Sequence, residues 1–192
     1  MTVRRRASTR YLLTCAVLGV AGGLLTVGMN YASLALSVLA PAFVAVTIGA
    51  WILPSMTGLA LLQRPGAGFL IALLAGLVNA PLTPFGFAQL LTVVMAGVLS
   101  ELPFLITLYR NWSAPVFFVG YGVLITAFST LWFVYIDAVM SVPWLLVVLY
   151  ALTAVVSLGF VQLALVLARR LRAAGVGRSS AAPQRTAGAA RG

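Results

Sequence analysis

Residues 41–80 read PAFVAVTIGAWILPSMTGLALLQRPGAGFLIALLAGLVNA, two long apolar runs separated by the polar turn Gln63-Arg64-Pro65-Gly66. A helix that crosses the hydrocarbon core of a bilayer needs about 20 apolar residues. The run 41–62 reaches that length, whereas 67–80 would be only roughly 21 Å long as a helix. Proline and glycine set the bend between the two runs. This stretch therefore predicts a pair of membrane helices joined by a tight turn.

The same alternation of apolar run and short break continues toward both ends of the chain. The segment 30–40 is apolar but less clearly spanning, and we interpret it as an outer connection. Pro81 and Pro84 break the third helix twice. The predicted spans are 11–29, 41–62, 67–80, 87–109, 114–136 and 143–168. We therefore predict an all-α integral membrane fold, with one six-helix transmembrane domain over 1–172 and a disordered tail over 173–192 that has little to bury.

The composition excludes most kinds of catalytic and metal site. The 192 residues are 62% hydrophobic and 7% charged, whereas soluble domains carry about 25% charged residues. Histidine is missing and Cys15 is the one cysteine, so most zinc, iron and copper sites lack their ligands. A Ser-His-Asp or Cys-His catalytic set is excluded for the same reason. We expect no enzyme activity, no metal and no cofactor.

The basic residues predict the orientation of the chain in the membrane. The net charge is +10, and all twelve basic residues are arginine. In the six-span prediction, every arginine falls on one side, and the positive-inside rule makes that side cytoplasmic. We therefore predict a multi-pass protein of the plasma membrane with both termini and the tail in the cytoplasm. The arginines flank apolar runs, so their expected neighbour is the lipid bilayer and not nucleic acid. Those before the tail are Arg4, Arg5, Arg6, Arg10, Arg64, Arg110, Arg169, Arg170 and Arg172.

Glu101 is the one acid inside a predicted span, and we treat it as the first candidate for a ligand contact. It lies about 12 Å from the arginine-bearing end of its helix. A carboxyl at that depth costs a few kcal/mol and must face the protein interior, find a partner or stay protonated. One interpretation is that it accepts a hydrogen bond from an amine or cation of a ligand. The other is a hydrogen bond between helices.

Five further polar and aromatic residues are candidates for a ligand site near the outer face. Trp132 and Tyr135 flank Asp137, where they would form either an interfacial aromatic belt or a wall for a flat ligand. The indole N–H of a tryptophan within a span needs an acceptor in lipid, so both packing and binding stay open for such a residue. With Glu101, the predicted ligand-binding residues are Trp51, Asn79, Gln89, Trp132 and Tyr135.

Small residues recur every four positions in the first span, at Cys15, Gly19 and Gly23. Faces of this kind let membrane helices approach closely. Two interpretations stay open: packing inside the bundle, or docking onto another membrane subunit.

Two stretches together resemble a known family. The first is Trp51-Ile52-Leu53-Pro54 followed by Leu62-Gln63-Arg64-Pro65-Gly66-Ala67. The second is Ser100-Glu101-Leu102-Pro103-Phe104 followed by Tyr109-Arg110-Asn111-Trp112. In these the chain resembles the substrate-binding S components of energy-coupling factor (ECF) transporters. The YkoE-like group, linked to thiamine and its hydroxymethylpyrimidine precursor, is the nearest type.

The resemblance implies a small six-helix membrane protein that binds a vitamin from outside the cell. It would work with a transmembrane coupling subunit and two ATP-binding subunits, and would itself hydrolyse nothing. The chain carries no G-x-x-x-x-G-K-[ST] phosphate loop. Many S components dock through an A-x-x-x-A face on the first helix, whereas here Ala16 is followed by Val20. Cys15, Gly19 and Gly23 are the candidate replacement. The alternatives are a non-catalytic structural or assembly protein, and an S component for another small vitamin.

Overall fold

The computed structural model describes residues 9–39, 47–134 and 143–176, apart from the side chains at 39, 48, 128 and 131–134. These residues form six α-helices and one short 3-10 helix, Ala80–Leu82. The prediction of an all-α fold is confirmed. The predicted tail beyond 176 lies outside the described residues. The α-helices are α1 (Thr9–Leu39), α2 (Ile48–Leu62), α3 (Ala67–Asn79), α4 (Ala88–Ile106), α5 (Ala114–Val134) and α6 (Pro143–Ala173).

The first helix extends ten residues beyond the predicted end of span one. The segment 30–40, interpreted as an outer connection, is helical as far as Leu39. No glycine or proline interrupts the chain between Met29 and Pro41, so nothing in this stretch stops a helix. With 31 residues, α1 is about 46 Å long and exceeds the hydrocarbon core of about 30 Å. Part of this helix therefore extends beyond the thickness of the core unless the helix is tilted.

The other helices vary in length. Three helices, α1, α4 and α6, are long and apolar enough to cross a membrane by themselves. In the described residues α2, α3 and α5 provide shorter apolar segments. The fourth helix ends at Ile106, three residues before the predicted boundary, because Leu108 and Tyr109 take φ angles of 51° and 55°. The Tyr109 N–H then donates to the Phe104 carbonyl at 2.7 Å, which closes the helix end.

The small-residue face of α1 packs against α3. A Cβ atom added at Gly19 would lie 2.5 Å from Leu74 Cβ, and one at Gly23 would lie 2.8 Å from the Ala75 carbonyl oxygen. Cys15, one turn before Gly19, is fully buried. Of the two interpretations of this face, the structure has packing inside the bundle. In this conformation α3 covers the surface that a partner subunit would need.

Each helix-interior proline packs against a glycine of a neighbouring helix. Pro54 of α2 meets Gly22 of α1, where an added Cβ would lie 2.5 Å from the proline Cβ. Pro103 of α4 meets Gly120 of α5 in the same way, at 2.4 Å. A proline removes one helical hydrogen bond and bends its helix. The missing glycine side chain makes room for the ring at each bend.

Three arginines of the described residues, Arg10, Arg64 and Arg172, lie together at one end of the bundle, which we call the arginine end. Arg172, at the end of α6, donates to the carbonyls of Ala60 and Leu61 at the end of α2. Arg10 donates to the Gly175 carbonyl at 3.3 Å, and the Arg64 guanidinium lies 5.4 Å from the centre of the Tyr11 ring. These contacts join both described chain ends to the turn between α2 and α3.

Alanine at Gly19 should destabilise the protein, because its methyl group has no room beside Leu74. Overpacking of this kind lowers the free energy of unfolding by about 1–3 kcal/mol. Gly28→Ala is the matched control, since nothing lies within 4 Å of a Cβ on this glycine of the same helix. Thermal unfolding of both variants in detergent is the measurement. Equal midpoints for the two would contradict the close packing of α1 on α3.

Candidate functional site

A cavity of about 420 Å³ lies at the end of the bundle opposite the arginines. It is lined by the end of α1, the start of α2, the first two thirds of α4 and the middle of α5, and it is partly open. Small-molecule sites in proteins commonly have volumes of about 300–1,000 Å³, with mostly apolar walls and a few polar groups. The lining residues are Asn30, Ser33, Leu34, Ser37, Thr47, Trp51, Ile52, Phe85, Gln89, Thr92, Ala96, Leu99 and Leu124.

Helical spacing explains how two walls of the cavity are built. Asn30, Ser33 and Ser37 follow one another at intervals of three and four on α1, so they lie on one face of that helix. Gln89 and Thr92 are similarly spaced on α4. The wall from α1 exists because the helix continues through 30–39. Each wall is therefore a polar stripe on an otherwise apolar helix.

Three buried polar atoms of this lining have no hydrogen-bond partner. They are Asn30 Oδ1, Trp51 Nε1 and Gln89 Nε2. Thr153 Oγ1 is the fourth such atom in the described residues, and it lies outside the lining. Each buried, unsatisfied donor or acceptor costs about 1–3 kcal/mol. Two donors and one acceptor are thus left unpaired on residues of one lining, which makes this cavity the candidate ligand site.

The predicted ligand-binding residues divide among several places. Trp51 and Gln89 line the cavity. Asn79 is fully buried behind Asn30, whose Nδ2 donates to Asn79 Oδ1 at 3.1 Å. The Trp132 side chain and all of Tyr135 lie outside the described residues, as does Asp137. Glu101 does not line the cavity.

Glu101 instead binds the first turn of α3. Its Oε2 accepts from the Gly66 N–H at 2.9 Å, and its Oε1 accepts from the Phe69 N–H at 3.0 Å. The Tyr109 hydroxyl donates to Oε2 at 2.6 Å. The first N–H groups of a helix have no partner within the helix and favour negative charge nearby. No side chain at the start of α3 caps it, so the carboxyl of α4 does so. The structure gives Glu101 the helix–helix contact that was one of its two interpretations.

Asn30, Ser33, Ser37 and Thr92 line the cavity but were not among the predicted site residues. The signal for three of them was present, since 30, 33 and 37 form a polar stripe at helical spacing. It went unused because 30–40 was interpreted as a connection. Thr92 follows Gln89 at the same helical spacing on α4, so the sequence carries the same signal for it.

A second, wholly apolar groove of about 600 Å³ lies between α4 and α5. It shares Leu99 and Leu124 with the cavity. Its other wall residues include Leu102, Ile106 and Val119, each at least one third exposed. The side chains of these residues offer no hydrogen bond, so the groove lacks the means for polar recognition.

Comparison with known proteins gives a family match and a structural match. Residues 10–128 match the model of a family described as "ABC-type cobalt transport system, permease component". A solved structure titled "Crystal structure of an S-component of ECF transporter" superimposes with a TM-score of 0.75 at 18% sequence identity, covering 88% of each chain. The fold is thus that of this transporter subunit. No curated protein matches the chain.

Glutamine at position 101 should destabilise the protein without changing the cavity. The amide nitrogen would face a hydrogen-bond donor where Glu101 now accepts from Gly66, Phe69 and Tyr109. Loss of a hydrogen bond to a charged group lowers the free energy of unfolding by about 1.5–3 kcal/mol. Tyr109→Phe removes only one of the three donors and should cost less. Thermal unfolding in detergent compares the midpoints of wild type, Tyr109→Phe and Glu101→Gln, which should decrease in that order. A Glu101→Gln midpoint equal to that of the wild type would contradict the prediction.

Proposed function

This chain belongs to the family of ABC-type cobalt transport permease components, and we propose that it is the substrate-binding S component of an ECF importer. It is a multi-pass protein of the plasma membrane and not an enzyme. The observation that carries the proposal is the cavity of about 420 Å³ with its three unpartnered polar atoms. The shared fold supports the same assignment.

The orientation of the cavity agrees with uptake from outside the cell. Arg10, Arg64 and Arg172 meet at one end of the bundle, and positive charge favours the cytoplasmic side. The cavity is at the other end. A ligand arriving from outside would therefore reach it without crossing the bundle.

The proposed substrate is thiamine or its hydroxymethylpyrimidine precursor. Trp51 provides an aromatic face for a flat ring, and the unpartnered donors and acceptor suit a heterocycle with both kinds of atom. The neutral hydroxymethylpyrimidine is the better fit, because no described residue of the lining carries a charge. The thiazolium of thiamine would find no carboxylate there, since Glu101 is bound to α3.

A bare cobalt ion fits the described cavity poorly, although the family description names cobalt. Divalent transition metals are held in proteins mainly by imidazole, thiolate and carboxylate ligands. The described lining has none of these. No group of three His, Cys, Asp or Glu residues occurs within 9–39, 47–134 and 143–176. A cobalt salt is therefore the natural comparison ligand in a binding assay.

The proposed partners are a transmembrane coupling subunit and two ATP-binding subunits. Cys15, Gly19 and Gly23 were the predicted docking residues; α3 covers the two glycines, and Cys15 is fully buried. Docking through this face would require α1 and α3 to separate. Otherwise the coupling subunit would use another surface of the bundle.

Replacing Trp51 by phenylalanine should weaken ligand binding while the fold persists. Phenylalanine keeps an aromatic ring but removes the unpartnered Nε1 donor. A neutral hydrogen bond contributes about 0.5–1.5 kcal/mol, or roughly 2- to 13-fold in affinity. Trp144→Phe is the matched control, because Trp144 is 68% exposed and lies outside the cavity.

Calorimetry measures the affinities of purified wild type, Trp51→Phe and Trp144→Phe for hydroxymethylpyrimidine, thiamine and cobalt chloride. We expect wild type and Trp144→Phe to bind the pyrimidine alike, and Trp51→Phe to bind it more weakly. Binding of cobalt alone would reject the vitamin assignment. A wild type that binds none of the three would favour a structural or assembly role, or another small vitamin.

The proposed topology can be tested with single cysteines introduced after Cys15→Ala. Asn111, in the turn between α4 and α5, is exposed at the arginine end, and Phe87 is 72% exposed beside the cavity. An impermeant thiol reagent added to whole cells should label Phe87→Cys and leave Asn111→Cys unlabelled. The opposite pattern would reverse the orientation, and equal labelling of both would reject the six-span arrangement.

A further inference from the structure

We propose that Asn30 holds its carboxamide oxygen toward the cavity in a fixed orientation, so that the site selects ligands with an N–H or O–H donor at that point. Asn79 and Thr26 are the positioning residues, and neither lines the cavity. The inference rests on the proposed function for the existence of a ligand. The ligand would meet the oxygen of the Asn30 amide and not its nitrogen, because the nitrogen is bound to Asn79.

A chain of buried hydrogen bonds leads from the backbone of α1 to Asn30. The Thr26 hydroxyl lies 2.9 Å from the Gly23 carbonyl oxygen. Asn79 Nδ2 lies 2.8 Å from Thr26 Oγ1. Asn30 Nδ2 lies 3.1 Å from Asn79 Oδ1, which the Thr83 hydroxyl also approaches at 3.2 Å. Thr26, Asn30 and Asn79 are each at most 2% exposed.

The direction of this chain follows from its first member. A carbonyl oxygen can only accept, so the single proton of the Thr26 hydroxyl points at the Gly23 carbonyl. Thr26 Oγ1 can then only accept from Asn79, which requires the Asn79 nitrogen on that side. The Asn79 oxygen is left facing Asn30 and must receive a donor, so the Asn30 nitrogen faces Asn79. The Asn30 oxygen is therefore the end of the amide that does not face Asn79.

That oxygen is an unpartnered acceptor on a residue that lines the cavity. Asn30 Oδ1 has no hydrogen-bond partner and its residue is 1% exposed. Trp51 Nε1 and Gln89 Nε2 are unpartnered donors on two other residues of the same lining. A complementary ligand therefore presents a donor to Asn30 and acceptors elsewhere on its edge. An aminopyrimidine has this pattern, with an exocyclic amine beside ring nitrogens. The corresponding 4-oxo compound reverses it, placing a carbonyl where the amine was and an N–H on the adjacent ring nitrogen.

The orientation of Asn30 can be measured without any ligand. The chain has three asparagines, Asn30, Asn79 and Asn111, so protein labelled with ¹⁵N in asparagine shows three side-chain amide groups. We expect slow hydrogen exchange for the NH₂ groups of Asn30 and Asn79, because both donate within the buried chain. The exposed Asn111 is the internal control and should exchange fast. Exchange at Asn30 as fast as at Asn111 would place its NH₂ in the cavity and overturn the proposal.

Ligand selectivity tests the consequence with an isosteric pair of variants. Thr26→Val removes the hydroxyl that orients Asn79, whereas Thr57→Val removes a buried hydroxyl that bonds only its own helix, at the Leu53 carbonyl. The probes are 4-amino-5-hydroxymethyl-2-methylpyrimidine and its 4-oxo analogue. We expect wild type and Thr57→Val to prefer the amine by at least about tenfold. In Thr26→Val the amide groups of Asn79 and Asn30 can rotate by about 180° and exchange the positions of oxygen and nitrogen. The preference for the amine over the 4-oxo compound should then fall to about threefold or less.

The two experiments separate the failure of this inference from the failure of the proposed function. An unchanged preference in a folded Thr26→Val protein would overturn the positioning role, while pyrimidine binding would still support the importer. If neither pyrimidine binds the wild type, the proposed substrate and the selectivity for an amine are both rejected. The exchange rates would then still decide, on their own, which end of the Asn30 amide faces the cavity.

Discussion

The close contact of α1 with α3 is the interaction on which the rest of the structure depends. Because Gly19 and Gly23 have no side chain, Leu74 and the Ala75 carbonyl of α3 lie directly against the backbone of α1. Farther along the same interface, this spacing brings Asn30 within 3.1 Å of Asn79. The last turns of α1 are thereby held over the cavity. A wider separation would break the hydrogen bond and displace one wall of the site.

Buried polar groups have hydrogen-bond partners at the arginine end of the bundle, whereas several at the cavity have none. At the arginine end Glu101 accepts three hydrogen bonds, and Arg172 donates to backbone carbonyls. At the cavity, three buried polar atoms are left without partners. Unsatisfied polar groups are costly wherever water is excluded. Keeping them together at one end costs some stability, which is typical of functional sites and agrees with the proposed binding site.

Glu101 illustrates how far the sequence alone could lead. An acid within an apolar run is costly, and this correctly indicated that it needs a buried partner. Its backbone partners, Gly66 and Phe69, are 35 and 32 residues away in the chain, and nothing in the local pattern names them. The small-residue face of α1 was similar. Spacing indicated a close approach, but which helix would fill it depended on how the whole bundle packs.

The sequence by itself determined the all-α membrane class of the protein and where most of its helices lie, although it ended the first helix ten residues too early. Apolar length, proline and glycine breaks and charge are properties of single segments, and the bilayer acts on each segment separately. Only the tertiary structure decided which residues meet at the cavity and which way the Asn30 amide points. Helical periodicity tells which residues share a face, but not which helix that face will contact. The chain from Gly23 through Thr26 and Asn79 to Asn30 joins residues up to 53 positions apart, so its direction exists only once α1 and α3 have packed together.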